Sequence, residues 1–291
     1  MKLKLLCNWC LSKELHAMWS HMIPSDSPFI LTSSSSDADV FVIINKQKQD
    51  ESYVPSKTIV IQMEPHMNLH PEIWGKDWAN PNPKFFKKVF THQTDPNTIE
   101  WHLSFSYDFL SSRRLPVFLP RLDAVSAVLS AKYHDPGHKY RVDLARRCDQ
   151  MVVYGHQLGY KNFDSTYLPP RQKENALIPY KYHLAVENHQ YDNYVTEKLF
   201  DGILCECLVF YHGAPNVISA YDLPEGCLVK LSGDIDEDLK TIEACINSDE
   251  YTKRLPLVKE AKKIILSKSL FHRLSSVFKN DTHKINELSD R

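Results

Sequence analysis

Residues 180–217 decide the fold, and they read YKYHLAVENHQYDNYVTEKLFDGILCECLVFYHGAPNV. The apolar runs Tyr182 to Val186 and Leu208 to Tyr211 each predict a strand that is covered on both faces. Between them, apolar residues at helical spacing predict a helix from about Thr196 to Glu206. A strand, a helix and a second strand in this order are typical of a parallel α/β sheet.

The same alternation continues on both sides of this stretch. Short apolar runs predict further strands at Lys2–Cys7, Val40–Ile44, Thr58–Met63, Val89–His92, Trp101–Ser104, Ala124–Ser130, Gln150–Tyr154 and Leu228–Leu231. Helical spacing predicts helices at Ser12–Met22 and Tyr140–Cys148, and after Leu231 a helical region that is interrupted at Pro256. The predicted fold class is therefore α/β, with two Rossmann-like domains facing a cleft.

Ser111 to Arg121 contains two prolines and is the predicted linker between the domains. The predicted boundaries are 1–118 for the N-terminal domain, 119–267 for the C-terminal domain, and 268–291 for a separate basic amphipathic segment. In that last segment Leu270 and Leu274 share one helical face. Such a helix either packs back on the N-terminal half, which the pattern favours, or lies on an anionic membrane surface.

Composition excludes some classes of function. The chain has 291 residues, 43% hydrophobic residues and a net charge of −1, which favours a soluble globular protein and argues against a nucleic-acid partner. No apolar window approaches the roughly 18 residues of a membrane-spanning helix. An odd number of cysteines, seven, favours free thiols, so we expect a cytoplasmic protein.

Cys7 and Cys10 have CxxC spacing, which is typical either of a strand end or, less often, of a redox pair.

The helix that begins near Thr196 has the features of an anion site. Thr196 is a suitable N-cap, and the free N–H groups of a first turn attract phosphate. Lys198 opposes the helix dipole, which costs about 0.3–1 kcal/mol unless an anion or a partner offsets it. Glu187 and Asn188 follow a buried strand, at the end where parallel sheets bind ligands. The alternative is a Lys198 side chain that points into solvent.

Residues 180–217 closely resemble the donor-binding signature of the α1,3/α1,4-fucosyltransferase family. In both, an aromatic-rich strand leads to Glu-Asn, a short polar loop, and Tyr-Val-Thr-Glu-Lys at a helix start. The resemblance continues more weakly upstream, where Arg141 follows the strand Val125 to Ser130. The strand end Ile61-Gln-Met-Glu64-Pro65 is similar to the family's Glu-Ser-Pro region, but the serine is missing here.

This resemblance implies a glycosyltransferase of the GT-B type that inverts the configuration of the transferred sugar. L-Fucose would move from GDP-β-L-fucose, the donor substrate, to a hydroxyl of an acceptor oligosaccharide or glycoconjugate in an α1,3-type linkage. Arg141 and Lys198 would neutralise the diphosphate, and Glu64 would act as the general base. The remaining donor-binding positions implied by the family are Glu187, Asn188, Tyr194, Thr196 and Glu197. Tyr182 is predicted to be a core residue.

No metal ion or cofactor is predicted to be required, since side-chain cations can neutralise a diphosphate. Asp37 and Asp39 have the DxD spacing of some metal-binding transferases, but their place before a buried strand favours a turn. No histidine pair is predicted to bind a metal. Three alternatives stay open: another deoxysugar nucleotide as donor, a non-catalytic glycan- or nucleotide-binding relative, and a CxxC redox protein.

Overall fold

The computed structural model describes residues 1–48, 50–64, 81–112, 115, 120–155, 166–169 and 171–278. The chain folds as two units. The first contains residues 1–98, 106–108 and 267–291, and the second contains residues 99–105 and 109–266. Each unit has its own parallel sheet with helices, which confirms the predicted α/β class with two Rossmann-like units.

The first unit is built on a five-stranded sheet in the order β2-β1-β3-β4-β5. All pairs are parallel. The central strand β3 is buried along its whole length, as expected for a continuous apolar run with cover on both faces. The bounds are β1 Lys2–Cys7, β2 Ile30–Leu31, β3 Val40–Ile44, β4 Thr58–Gln62, β5 Lys88–Thr91 and helix α1 Ser12–Trp19, with short 3₁₀ turns at Ser20–Met22, Pro55–Lys57 and Pro83–Phe85.

The Asp37-Ala-Asp39 motif lies at a turn of this unit. Both carboxylates are exposed. Asp39 Oδ2 accepts a hydrogen bond from the backbone N–H of Lys2 at 2.7 Å, and Asp39 N donates to the Lys2 carbonyl at 2.9 Å. These bonds connect the start of β1 to the start of β3. The motif therefore has a structural role in joining two strands, as the sequence favoured.

Residues 270–278 form a C-terminal helix that packs within the first unit. Its apolar side is used in this packing: Leu270 and Leu274 are buried, and the ring of Phe271 lies 6.5 Å from that of Phe29. Arg273 donates to the Pro96 carbonyl at 2.7 Å, and its guanidinium lies 4.0 Å from the centre of the Phe90 ring. The described part of the predicted segment, residues 268–278, thus belongs to the first unit, because its apolar stripe is buried there. Lys279 and later residues lie outside the described part of the chain.

The second unit is built on a six-stranded sheet in the order β11-β10-β9-β6-β7-β8. All pairs are again parallel. Its strands are β6 Leu122–Val128, β7 Met151–Gly155, β8 Thr166–Tyr167, β9 Tyr180–Val186, β10 Leu208–His212 and β11 Leu228–Lys230. Its helices are α3 Pro136–Arg147, α4 Glu197–Leu204, α5 Val217–Tyr221, α6 Ile235–Asn247 and α7 Glu250–Ser267, with a 3₁₀ turn at Lys173–Ala176; α2, Tyr107–Ser112, precedes them.

The strand order reverses between β6 and β9. From β6 the chain runs outward through β7 and β8, and it then returns to the other side of β6 as β9 and continues outward through β10 and β11. Such a topological switch point leaves a crevice at the carboxyl ends of the two central strands. Parallel α/β sheets bind their ligands in that crevice, so β6 and β9 mark where a site is expected.

The segment Trp101–Ser104 differs from its prediction, since it is not a strand. Trp101 and Leu103 are buried and alternate with exposed residues, which imitates a strand pattern. The intervening backbone N–H groups bond to side chains instead: His102 N donates to Asp201 Oδ1 at 3.0 Å and Ser104 N to Glu174 Oε2 at 3.1 Å. These bonds attach residues 99–105 to the second unit. The division therefore lies around residues 98–109 rather than at residue 118, and much of the predicted linker is outside the described residues.

Pro256 does not interrupt the C-terminal helical region as predicted. It lies inside α7, which continues through it. The break occurs earlier, between α6 and α7, where Asp249 adopts a left-handed backbone conformation with φ of 49°. A single residue in that conformation ends a helix, so the turn at Asp249 separates the two helices. No helix among the described residues is both long and apolar enough to span a bilayer.

The CxxC pair lies at the end of β1. Cys7 is buried, and its Sγ lies 3.4 Å from the Sγ of Cys10, with both present as free thiols. Burial raises the pKa of the Cys10 thiol to about 12, and the neighbouring Cys7 adds to the effect. A redox pair needs an accessible thiolate at neutral pH. The geometry therefore favours the structural interpretation of a strand end.

Candidate active site

A pocket lies at the switch point of the second unit. The carboxyl ends of β6 and β9 supply its floor, and three cationic side chains contribute to its walls. The residues that line it are Val128, Leu129, Arg141, Lys173, His183, Leu184, Ala185, Val186 and Lys198. The pocket therefore brings the two predicted diphosphate ligands, Arg141 and Lys198, to one place.

Arg141 is held rigidly at the end of β9. It lies on α3, its side chain is buried, and its guanidinium donates to the Val186 carbonyl and to Asn188 Oδ1, each at 3.3 Å. It also donates to Ser130 Oγ at 3.3 Å, beyond the end of β6. A guanidinium presents five N–H donors in a fixed plane. Contacts with both strand ends therefore fix the direction in which its remaining donors point.

Lys198 lies in the first turn of α4, as predicted, and Thr196 is the N-cap of that helix. The ammonium donates to Thr196 Oγ1 at 2.9 Å and to Glu197 Oε1 at 3.4 Å, and it lies 3.6 Å from Glu187 Oε2. Two carboxylates thus offset the cost of a cation at a helix start. Lys198 does not point into solvent: its side chain is 24% exposed and lines the pocket.

Glu187 and Glu197 behave differently although both flank Lys198. Glu187 is fully buried, and burial raises the pKa of its carboxyl despite the nearby ammonium. It accepts hydrogen bonds from Thr196 N at 2.8 Å and Thr196 Oγ1 at 2.7 Å. Burial also acts to raise the pKa of Glu197, but Lys198, His102 and Lys173 outweigh it and hold that pKa well below its usual value. The Lys198 ammonium thus lies beside two carboxyl groups whose pKa values shift in opposite directions.

Asn188 and Tyr194 have separate positions in this arrangement. Asn188 is half-buried and accepts the hydrogen bond from Arg141, so it belongs to the same polar network. Tyr194 is 1% exposed, and its backbone N–H donates to the Tyr191 carbonyl at 3.2 Å. Tyr182 is also fully buried, which confirms that it is a core residue.

Sequence reasoning missed several ionisable residues of this site. Lys173 lines the pocket and forms a 2.6 Å ion pair with the fully buried Asp201. Glu100 is 2% exposed, and burial together with Glu197 and Asp201 raises its pKa well above the usual value. Asp201 follows Glu197 by four residues on the same face of α4, which is a signal that the sequence did contain. Lys173 begins a short 3₁₀ turn and Glu100 lies in an irregular segment, so no periodic pattern marks either residue.

His183 also lines the pocket, and it is neutral. Burial, with a smaller contribution from Lys173, lowers its pKa to about 3. Its Nδ1 lies 2.9 Å from Ser126 Oγ, which connects the neighbouring strands β9 and β6. The fixed positive charges in the pocket wall are therefore those of Arg141, Lys173 and Lys198.

The start of α3 packs directly on the backbone after β9. Gly137 N donates to the Asn188 carbonyl at 3.1 Å. A Cβ atom at Gly137 would lie 1.8 Å from the carbonyl oxygen of Glu187 and 3.0 Å from the carbonyl carbon of Asn188. Because backbone atoms are on the other side of this contact, no side-chain rotation can relieve it. Glycine is therefore required where α3 carries Arg141 to the pocket.

We expect Gly137→Ala to lower the free energy of unfolding by about 3 kcal/mol, as severe overpacking does. The melting temperature would fall by roughly 6–12 °C, and the ligand response of the site would weaken because Arg141 moves with α3. Thermal unfolding measured beside Lys139→Ala, an exposed position on the same helix, provides the control. An unchanged melting temperature for Gly137→Ala would mean that the contact is looser than described.

A group of possible metal ligands lies at the start of α3. His134, Asp135 and His138 place one ligand atom each within 4.8 Å of one another. His134 and His138 are four residues apart, a spacing that was visible in the sequence, although no histidine pair was predicted to bind a metal. Burial, with Arg141 nearby, lowers the pKa of His138 to about 3, so its imidazole is neutral and has a lone pair to offer.

Glu64, the predicted base, lies in the first unit. It lies two residues after the carboxyl end of β4, an inner strand of the sheet, and it is half-buried. Its backbone N–H donates to Asn45 Oδ1 at 3.1 Å, and Met63 N donates to the same oxygen at 2.8 Å. Asn45 itself has a left-handed backbone with φ of 61°. This turn fixes the backbone at Glu64; Pro65 lies outside the described residues.

Part of the chain that contains this site matches a known family model. Residues 110–213 match the family model described as glycosyltransferase family 10 (fucosyltransferase) C-term. That range contains Arg141 and the whole network from Glu187 to Lys198. No curated protein matches the sequence.

Solved structures with the same fold include two described as α1,3-fucosyltransferase. One has 15% sequence identity and a TM-score of 0.54, and the alignment covers 88% of this chain and 80% of that chain. The other, solved with GDP, has 14% identity and a TM-score of 0.53, with 94% and 92% covered. At these identities the similarity shows a shared fold. The match to the family 10 C-terminal domain covers residues 110–213, and the chain as a whole shares the fold of these two structures.

Proposed function

We propose that the protein transfers L-fucose from GDP-β-L-fucose to a hydroxyl of an acceptor glycan, with inversion at the anomeric carbon and an α1,3-type linkage. The observation that carries this proposal is the pairing of Arg141 and Lys198 in one pocket at the switch point of the second unit. The pocket lies in the part of the chain that matches the family 10 domain. A structure with the same fold was solved with GDP, which supports a guanine nucleotide as the donor's leaving group.

In this reaction the acceptor oxygen forms a bond to the anomeric carbon while the bond from that carbon to the diphosphate breaks. Negative charge accumulates on the departing diphosphate, so fixed cations lower the barrier by stabilising the transition state. Arg141 suits the task because its planar fork binds phosphate oxygens in pairs. Lys198 supplies a point charge at a helix N-terminus, where backbone N–H groups also favour an anion.

The other donor contacts follow from the network around Lys198. Ionised Glu197 is a hydrogen-bond acceptor suited to hydroxyls of the ribose or of the fucose. Glu187 and Thr196 hold Lys198 and the helix start in place. Asn188 orients Arg141. We assign Tyr194 a supporting role beneath the loop, since its ring is buried.

Glu64 is the proposed general base that takes the proton of the acceptor hydroxyl as it attacks. A carboxylate is a suitable base for a hydroxyl that becomes acidic only in the transition state. We propose that this chemistry requires no metal ion, because side-chain cations can neutralise the diphosphate. We also propose a reducing, cytoplasmic environment, which seven free thiols fit. Burial of Leu270 and Leu274 leaves the C-terminal helix little apolar surface for a membrane contact.

A panel of nucleotides tests the donor assignment. At 100 times their dissociation constants, GDP and GDP-fucose would stabilise the folded protein by about 2.7 kcal/mol, which corresponds to an increase in melting temperature of roughly 5–10 °C. UDP, dTDP and their sugars are measured in parallel. If a UDP or dTDP sugar shifts the melting temperature and the GDP compounds do not, the assignment of the donor is wrong.

A second experiment tests turnover directly. The protein is incubated with GDP-fucose and an array of oligosaccharides, and mass spectrometry searches for acceptors that gain one deoxyhexose. We expect at least one modified oligosaccharide, with GDP released in equal amount. A protein that binds GDP-fucose but modifies no member of a broad array would favour a non-catalytic binding role.

A further inference from the structure

We propose that His134, Asp135 and His138 bind a zinc ion that secures the start of α3. This site is separate from the chemistry proposed above and does not depend on the identity of the donor. The three residues surround the N-cap of the helix: His134 precedes it, Asp135 is the cap, and His138 is the third residue of the first turn. Two imidazoles and one carboxylate form a donor set that zinc commonly takes in proteins.

The spacing of the ligand atoms fits one ion. Asp135 Oδ2 lies 3.2 Å from His138 Nδ1 and 3.5 Å from His134 Nε2. Two ligands that each sit about 2.1 Å from zinc at tetrahedral angles are separated by about 3.4 Å. The carboxylate oxygen is therefore separated from each nitrogen by about the distance expected between two ligands of one zinc ion. The two nitrogens lie within 4.8 Å of each other, and the imidazole rings of His134 and His138 are 4.7 Å apart between centroids.

The orientation of His138 also favours a cation. The backbone N–H of Asp135 donates to His138 Nδ1 at 3.3 Å, so this nitrogen presents its lone pair. A lone pair of the carboxylate faces it from 3.2 Å. Such a contact between two acceptors is stabilised by a positive ion that binds both. Zinc would replace the hydrogen bond from the backbone N–H, which costs only about 1 kcal/mol.

A second observation at the same place points to a missing ligand. The Asp135 side chain is 7% exposed, and its Oδ1 has no hydrogen-bond partner among the described residues. His189 Nε2 approaches this oxygen to 3.7 Å, which is too long for a hydrogen bond. A buried carboxylate oxygen without a partner is costly. A bound cation would compensate that carboxylate, and His189 is placed to support it from behind, as neighbours of metal ligands commonly do.

The neighbours of the three ligands determine how a zinc ion enters the site and which charge opposes it. The His134 side chain is 61% exposed, so an ion can enter from solvent through that ligand. Arg141, one turn along α3, lies close enough to His138 to influence it and would oppose a second cation. The ion would lock the segment that includes Gly137 and carries Arg141 to the pocket, a structural role rather than a catalytic one.

Isothermal titration of the full chain with ZnCl₂, after removal of metals with a chelator, tests the site. We expect one ion per chain and a higher melting temperature, with no response to MgCl₂, because magnesium prefers oxygen ligands. His134→Ala and Asp135→Asn should each weaken zinc binding by about tenfold or more. Asparagine caps a helix as well as aspartate does, so Asp135→Asn should still fold.

Two controls separate this site from other zinc ligands. Cys10→Ser removes the competing thiol of the CxxC pair, and His102→Ala removes an exposed histidine outside the cluster. Both should retain the full zinc affinity. If Cys10→Ser abolishes zinc binding while His134→Ala and Asp135→Asn leave it intact, the ion belongs to the thiols and the proposal is overturned. Absence of any saturable zinc binding overturns it equally.

Discussion

Lys198→Met should lower kcat by about 10²–10³-fold, because removal of one positioned group that stabilises developing charge has an effect of that size. The ammonium lines the pocket at the start of α4, and the negative charge on the diphosphate grows as its bond to the sugar breaks. Methionine keeps most of the length of the side chain and removes only the charge. Steady-state kinetics with saturating donor and acceptor measure the effect on kcat separately from the effect on KM.

The same substitution also affects stability, and this must be separated from catalysis. Lys198 lies 3.6 Å from the fully buried Glu187, so its removal leaves that carboxyl without its cation. Breaking a buried pair from one side typically costs on the order of 3 kcal/mol. A charge-matched double variant, Lys198→Met with Glu187→Gln, removes both members of the pair. We expect it to recover most of the melting temperature while kcat stays low.

The opposite outcome would assign Lys198 a different role. If the double variant regained both its stability and its turnover, Lys198 would serve only to compensate Glu187. Arg141→Lys provides an independent measure of the diphosphate contact. It preserves the charge but removes the planar fork, so we expect weaker stabilisation by GDP, with the contacts to Val186 and Asn188 partly lost.

The sequence predicted the second unit well where its signals are local. β9, α4 and β10 were predicted from apolar runs and helical spacing, and Thr196 from the chemistry of helix caps. The structure confirms all four. These features depend on residues within one or two turns of each other, so a single chain without homologues is sufficient to find them.

Long-range contacts explain what the sequence did not predict. Asp201 pairs with Lys173 and accepts a hydrogen bond from His102 N, and these three residues come from separate segments. The irregular segment around Trp101 resembled a strand because its burial alternates, yet side chains of the second unit satisfy its backbone. Only the folded chain brings such groups together. The proposed zinc ligands are a different case, because His134, Asp135 and His138 lie within five consecutive residues and their spacing was visible in the sequence.

Glu64→Gln should lower kcat by about 10²–10⁴-fold while the thermal shift with GDP stays unchanged. Glutamine has nearly the same shape but cannot accept the proton of the acceptor hydroxyl, and loss of a general base has an effect of this size. GDP binding should not respond, because the proposed nucleotide contacts come from the second unit.

Asp37→Asn is the matched control. Asp37 is also an acidic residue of the first unit, it is exposed, and it belongs to the turn motif before β3. We expect native kcat and KM for this variant, with or without added divalent metal, because Asp39 rather than Asp37 holds the turn through Lys2 N. Full turnover by Glu64→Gln would show that another residue is the base. A lower kcat in Asp37→Asn that changes with added metal ions would instead support a metal-binding role for the DxD motif. Only a selective loss in Glu64→Gln, with GDP binding preserved, is consistent with proton abstraction by this carboxylate.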